Sequence, residues 1–337
     1  MSAAPKAETT ADAAPDWKAI CAAHERIAPH IHRTPVLTSA SLDQIAGAKL
    51  FFKCENLQKT GSFKIRGATN TIFSLSPEEI ARGVVTHSSG NHAAAVAYAA
   101  RQRGARAWIV MPSNVSSVKV RAVEGYGGHI TFCEPTTSAR AEASARIQRD
   151  TDAVMVHPYD DERIIAGQAT AAKELLEEVP DLDALLAPVS GGGLLSGTGL
   201  AAKHMRPGIH VIGCEPQMAD DAYRSMATGQ LQTIEKSDTI ADGLRAGLAP
   251  RTFAILRKNV DAIVLVSEEE IISAMKMVWE RMKIIIEPSS GVPVAPLLRP
   301  GGAAALGLPA KNPGSVHKIG IILSGGNVDL AALPFSR

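Results

Sequence analysis

The sequence predicts an α/β protein built on open, mostly parallel sheets, and three observations carry that expectation. From about residue 48 onward, short apolar runs alternate with helical segments, the order that strand–crossover–strand architectures produce. The runs are near-continuously apolar rather than alternating, as strands covered on both faces must be. Glycine and serine cluster directly after several of them, at the carboxyl edge where open parallel sheets bind ligands.

The elements follow in order. The opening stretch MSAAPKAETTADAAP is rich in Ala, Pro and Thr and has no apolar centre. Residues 1–16 therefore read as a disordered tail, not a signal peptide, and Glu8, Asp12 and Asp16 speak against a transit peptide. KLFFKC begins the strand series, and GVVTH, RAWIVMP, HITFC, DALLAPV, HVIGCE, DAIVLVS and KIGIILS continue it. Between them Ala93–Arg103, Arg140–Asp150 and Ala166–Glu178 read as helices. Ser267 and Glu270 form a capping-box pattern ahead of the stripe Ile271, Ile272, Met275, Val278, Trp279 and Met282. RPGGAAALGLPAKNPGS reads as a loop before the last strand.

Composition narrows the function classes. With 337 residues, 45% hydrophobic and 20% charged, the chain can bury the core of one large or two ordinary domains. Its 35 basic and 34 acidic residues give no field for a nucleic acid or a membrane surface. No apolar run approaches the roughly 18 residues of a spanning helix. Cys21, Cys54, Cys133 and Cys214 are widely spaced with no C-x-x-C, which suits inert thiols in a reducing compartment, the cytoplasm.

Chemistry concentrates in the glycine corners. In NLQKTGSFKIRGA, Lys64 is wedged between Phe63 and Ile65, a setting that disfavours the ammonium and makes the amine reactive. In PVSGGGLLSGTGLAAK three glycines leave a strand and open a helix, either a flexible turn or a phosphate cradle. The P-loop pattern fails there, and a dinucleotide fingerprint traced through Gly191, Gly193 and Ser196 lacks its last glycine. THSSGNHAAAVAYAA sets Ser88, Ser89, Asn91 and His92 at a helix start, which suits a carboxylate or a ring hydroxyl but also an ordinary cap. CEPQMADDA offers oxygen ligands at Glu215, Asp221 and the Ala219 carbonyl, but by spacing alone it reads more readily as a solvated acidic turn than as a metal site.

In chain order, KTGSFKIRGA, HSSGNHA, SGGGLLSG, EPQMADDA, IADGL, VWERMKIIIEPSSGV and LSGGNVDL resemble the fold type II pyridoxal 5′-phosphate enzymes. The chain is most similar there to the serine racemase and serine/threonine dehydratase family, with its 3-hydroxyaspartate dehydratase members. The resemblance implies a tryptophan synthase β-like fold: a large domain of residues 17–75 and 158–337 and a small mobile domain of residues 76–157. It implies that Lys64 carries the cofactor in Schiff-base linkage beside Phe63, and that Ser190, Gly191, Gly192, Gly193 and Leu194 hold the phosphate. Asn91 is then the partner of the ring hydroxyl and Ser324 of the pyridine nitrogen. Ser88, Ser89, Asn91 and His92 line the substrate carboxylate pocket, and Arg140 receives a further carboxylate or hydroxyl. The resemblance also implies that Lys64 and Ser89 exchange the Cα proton from opposite faces, and that Glu215, Ala219 and Asp221 hold a divalent cation, Mg²⁺, Ca²⁺ or Mn²⁺.

The implied reaction is β-elimination from L-serine, L-threonine or 3-hydroxyaspartate to a 2-oxo acid and ammonia, with racemisation as a branch, in a homodimer. Two positions depart from the family: Ser190 stands where a fourth glycine is common, and Ala246 where racemases often carry serine. Lys59 matches a position that contacts an activating nucleotide in related racemases. A β-replacement synthase fits less well, since those enzymes resemble TSGNT where this chain has SSGNH. A nucleotide-binding dehydrogenase on a doubly wound sheet and a non-catalytic binding module are the readings from other classes.

Overall fold

A computed structural model describes residues 14–88, 90–115, 117–234 and 237–335. The strands are β1 (Val36–Leu37), β2 (Lys49–Cys54), β3 (Val84–His87), β4 (Ala107–Pro112), β5 (His129–Cys133), β6 (Val154–Met155), β7 (Ala184–Pro188), β8 (His210–Pro216), β9 (Ala262–Val266) and β10 (Lys318–Leu323). The helices begin with α1 (Trp17–Ile27), α2 (Ala40–Ala46), α3 (Lys64–Phe73), α4 (Pro77–Arg82), α5 (Asn91–Arg103), α6 (Ser117–Gly125) and α7 (Thr137–Thr151). They continue with α8 (Glu162–Glu178), α9 (Gly193–Met205), α10 (Asp221–Thr228), α11 (Pro250–Asn259), α12 (Glu268–Met282) and α13 (Pro288–Gly291).

Among the described residues the strands form two sheets, ordered β1-β2-β10-β7-β8-β9 and β5-β4-β3-β6. Every pairing is parallel except β1 with β2. All eight apolar runs are strands. β1 and β6, two residues each, carry no run long enough to announce them. Several helices start earlier than their apolar pattern: α8 begins at Glu162, where Asp161 accepts from the amides of Arg163 and Ile164. α12 is capped as its sequence predicts, with Ser267 and Glu270 exchanging side-chain and backbone bonds.

Both faces of the larger sheet are covered, which is why its strands are mostly apolar. Leu50, Phe52, Ile321 and Leu323 pack against α2 and α12, while Leu185, Ala187, Val211 and Ile322 pack against α1, α8, α9 and α11. The smaller sheet is covered by α5 and α6 on one side and α7 on the other. α3 lies between the two halves, packed against both α5 and α8. The expected 1–16 tail lies outside the described residues as far as residue 13, and Asp16 caps α1. Cys54 and Cys214 are buried and all four thiols are unbridged; burial pushes the Cys54 thiol up to about 12. No described helix is long and apolar enough to cross a membrane.

Candidate active site

The last strand to be made, β10, lies between β2 and β7. The loops that leave these three neighbours at their carboxyl ends are therefore side by side, although they are far apart in the chain. After β2 the chain turns through Thr60 and Gly61, both left-handed at φ 60° and 74°. A Cβ at Gly61 would lie 2.3 Å from Asn327 Oδ1, so only glycine fits. Ser62 bridges to Gly325, the Phe63 amide donates to the Ser324 carbonyl at 3.0 Å, and the Gly326 amide donates to that of Gly61 at 2.9 Å. These bonds join the Lys64 corner to the Ser324 corner. Ser324 is buried, its hydroxyl 3.2 Å from that of Ser290.

Lys64 is the first residue of α3. Its Nζ donates to the Pro158 carbonyl at 2.9 Å and lies 5.1 Å from the centre of the Phe63 ring. Burial pushes its ammonium down to about 8, against the opposing attraction of Glu287. Asn91, the first residue of α5, donates its amide to both Glu287 oxygens at 2.9 and 3.0 Å. Its Oδ1 accepts from Asn327 Nδ2, which also donates to the Thr60 carbonyl. Asn91 is thus held by Glu287, ahead of α13, and by Asn327, after β10, although its helix covers the smaller sheet. Glu287 is buried, and burial pushes its carboxyl up to about 7.

The triglycine turn follows β7. Gly192 is left-handed at φ 87°, and a Cβ there would lie 2.7 Å from Thr252 Cβ. α9 begins at Gly193, so its leading amides have no intrahelical acceptors and can face an anion. The Tyr159 ring covers the turn, since a Cβ at Gly191 would lie 2.4 Å from it. The Ser190 hydroxyl donates to the Ala246 carbonyl at 2.8 Å and accepts from the Ala246 amide at 3.0 Å. The two residues that depart from the family pattern therefore contact each other.

The remaining expected residues lie around this centre at different depths. Ser88 follows β3, half-buried; Ser89 lies outside the described residues. His92 is buried, with Nε2 3.1 Å from the Val156 carbonyl and its proton affinity lowered far below normal by burial and by Lys64. Arg140 donates from Nε to the Thr136 carbonyl at 3.3 Å, and its charge reaches the rim, lowering the pKa of His87 after burial has done so. Glu215, near the end of β8, and Asp221, the first residue of α10, sit apart. Glu215 accepts from the amides of Ala222 and Tyr223, and Asp221 from that of Leu248. Burial pushes Glu215 up to about 8 and Asp221 to about 6. Among the described residues neither has an ion-pair partner, and no group of three or more His, Cys, Asp or Glu gathers around a common point. Two buried carboxylates with no ion-pair partner among the described residues are donor chemistry that suits a hard cation, with further oxygens completing its shell.

Several residues at the centre were not assigned by sequence reasoning. Glu287 carried a signal, a carboxylate ending the apolar run IIIE. Tyr159 and His157 carried none. His157 Nδ1 accepts from the Asp160 amide at 2.8 Å, which leaves the ring proton on Nε2, and burial pushes its pKa down to about 4. The residues present fit pyridoxal phosphate: an amine with a depressed pKa, anion-facing amides, and polar groups at Asn91 and Ser324 for the ring.

The chain is similar to known proteins over most of its length. A family model described as pyridoxal-phosphate dependent enzyme matches residues 27–318. A serine racemase of Dictyostelium discoideum is 49% identical over 94% of this chain and 96% of its own length. A beta-hydroxyaspartate dehydratase of Paracoccus denitrificans (strain Pd 1222) is 47% identical over 96% and 99%. A threonine deaminase of T.th. has a solved structure that superposes with a TM-score of 0.87 at 40% identity, over 94% of this chain and 100% of that one.

Proposed function

The chain belongs to the pyridoxal-phosphate dependent enzymes, and from that premise we propose that it eliminates water from hydroxy amino acids, giving a 2-oxo acid and ammonia, with racemisation at Cα as a second outcome. The substrate class is L-serine, L-threonine or 3-hydroxyaspartate, in keeping with the names of its relatives. One observation carries the reading: the Lys64 amine, depressed to about 8, lies in the same corner as the Asn91–Glu287 pair and the Ser324 loop. That is chemistry a dehydrogenase has no use for.

When bound, pyridoxal phosphate supplies the electron sink that makes an amino acid's Cα proton removable. Lys64 would hold the cofactor's aldehyde carbon, and as a neutral amine, the form its buried setting favours, it would take the Cα proton. Ser89 serves the opposite face, returning a proton when the outcome is racemisation. The amides of Ser190, Gly191, Gly192, Gly193 and Leu194 would hold the phosphate, Ser324 would serve the ring nitrogen, and Asn91, steadied by Glu287, would serve the ring hydroxyl. Ser88, Ser89 and Asn91 bind the substrate carboxylate with His92 behind them, and Arg140 pairs with a second carboxylate. Glu215, Asp221 and the Ala219 carbonyl hold Mg²⁺, Ca²⁺ or Mn²⁺ as a structural, activating ion. Residues 76–157 form a small lobe that closes on the large one and excludes water, and the enzyme works as a cytoplasmic homodimer.

The test is a substrate panel: both enantiomers of serine and threonine and the isomers of 3-hydroxyaspartate, scored for 2-oxo acid and for inverted product, with and without Mg²⁺. Keto-acid release from at least one hydroxy amino acid is expected. No release and no inversion across the panel would sink the proposal.

A further inference from the structure

Two residues beyond Lys64, the same helix buries its strongest charge. Arg66 is the largest fully buried side chain among the described residues. Its Nε and Nη2 donate to Glu55 at 2.7 Å each, its Nη1 and Nη2 to Glu174 at 2.8 Å each, and its Nη1 to Thr170 Oγ1 at 3.0 Å. These five bonds use every donor a guanidinium has. Lys53 adds bonds of 2.7 Å to Glu174 and to the Thr34 carbonyl, and Thr34 Oγ1 donates to Glu55. All four charged side chains are buried. Burial opposes ionisation of Glu174, but Arg66 and Lys53 outweigh it and hold the carboxyl at about 2.

A buried ionic tetrad is a poor route to stability, since well-packed apolar residues of equal volume do as well or better. What it supplies is direction. Its members come from β2, the turn after it, α3 and α8. At 100° per residue, Arg66 projects about 200° around α3 from Lys64, so the two point to opposite sides. Any roll of α3 that moved Lys64 would pull the fork from two carboxylates at once. The backbones are also locked: a Cβ at Gly167 of α8 would lie 2.6 Å from Gly67 Cα, and the Gly67 amide donates to Gln168 Oε1 at 3.2 Å. Lys64 Nζ itself bonds to Pro158, in the segment leading into α8.

We infer that Arg66, Glu55, Glu174 and Lys53 are positioning residues, which fix the roll of α3 against α8 and so set where the Lys64 amine stands. The inference rests on the reading of Lys64 as the amine that takes the cofactor. It is tested on two variants of the full-length enzyme. Arg66→Lys keeps the charge but loses the fork. Lys53→Met/Glu174→Gln removes one charge of each sign, leaving the neutral Arg66–Glu55 pair. Apoenzyme thermal midpoint, affinity for pyridoxal phosphate, and the pH midpoint of the bound cofactor's visible absorbance are measured for each. Both variants should fold, bind the cofactor about tenfold or more weakly, and shift the spectral midpoint by roughly half a unit or more, because a displaced amine loses its tuned surroundings.

Wild-type affinity and midpoint in a folded double variant would overturn the inference, whatever the thermal stability. Failure of that double variant to fold would overturn it too, since the tetrad would then serve the fold and not the amine. Should Arg66→Lys alone fail to fold, the double variant decides. A wild-type enzyme whose visible band borohydride does not abolish, or whose Lys64→Ala variant keeps that band, would refute the reading of Lys64 itself and this inference with it.

Discussion

At the scale of single residues, Lys64 and Arg140 make the sharpest commitments. Only the unprotonated amine attacks an aldehyde, and burial sets the Lys64 pKa at about 8. The rate at which apoenzyme captures pyridoxal phosphate should rise as pH increases toward 8 and level off above it, and Lys64→Ala should capture none covalently. Stopped-flow absorbance across roughly two pH units on either side of that value checks this; a rate flat with pH would refute it. Arg140 brings a positive charge near enough to His87 to lower its pKa, after burial. Arg140→Ala should lower kcat/KM for 3-hydroxyaspartate by about 2 kcal/mol, some thirtyfold, and for serine several-fold less, because a charged hydrogen bond is lost only with the second carboxylate. Equal losses on both substrates would remove Arg140 from specificity. At this scale the sequence was informative where a residue is odd for its surroundings, as with Lys64 between Phe63 and Ile65. It was silent for Tyr159, whose ring matters only because the triglycine turn lies against it.

At the scale of elements, local signals were legible where they act within a few residues. The α12 capping box, the strand runs and the glycine turn are all read from neighbours in sequence. The turn is the element most exposed to a single change. Gly192→Ala puts a side chain at φ 87° and 2.7 Å from Thr252 Cβ. The left-handed backbone alone costs about 1–2 kcal/mol, and relief of the contact tilts the amides that begin α9. Cofactor affinity should fall about tenfold or more, measured by equilibrium titration, with α9 still folded. Unchanged affinity would mean the turn does not hold the phosphate. Element boundaries were less legible. α8 starts after Asp161 because a carboxylate caps it, a polar signal that apolar periodicity does not register.

At the scale of the whole molecule, two sheets are tied at the site by Asn91 with Glu287 and by Lys119 of α6 with Asp242. The acidic pair at Glu215 and Asp221 belongs to this scale too, because Leu248, which bonds Asp221, lies two residues from Ala246 and its bond to the triglycine turn. A cation there should stabilise the native state by about 2.7 kcal/mol when present at a hundred times its Kd. Adding EDTA should lower the thermal midpoint by a few degrees, Mg²⁺ or Mn²⁺ should restore it, and Glu215→Gln should abolish the response. A midpoint indifferent to chelator and metal would leave the acidic turn merely buried.

By itself the sequence determined the fold class, the eight longer strands and the glycine corners, because hydrophobic period, capping and turn chemistry are settled between residues a few positions apart. Only the tertiary structure decided that β10 enters between β2 and β7, that Glu287 takes the Asn91 amide, and that Arg66 is buried in a fork of carboxylates. Those outcomes depend on which distant surfaces exclude water together. Burial, not local pattern, is what lowers the Lys64 pKa and raises that of Glu287.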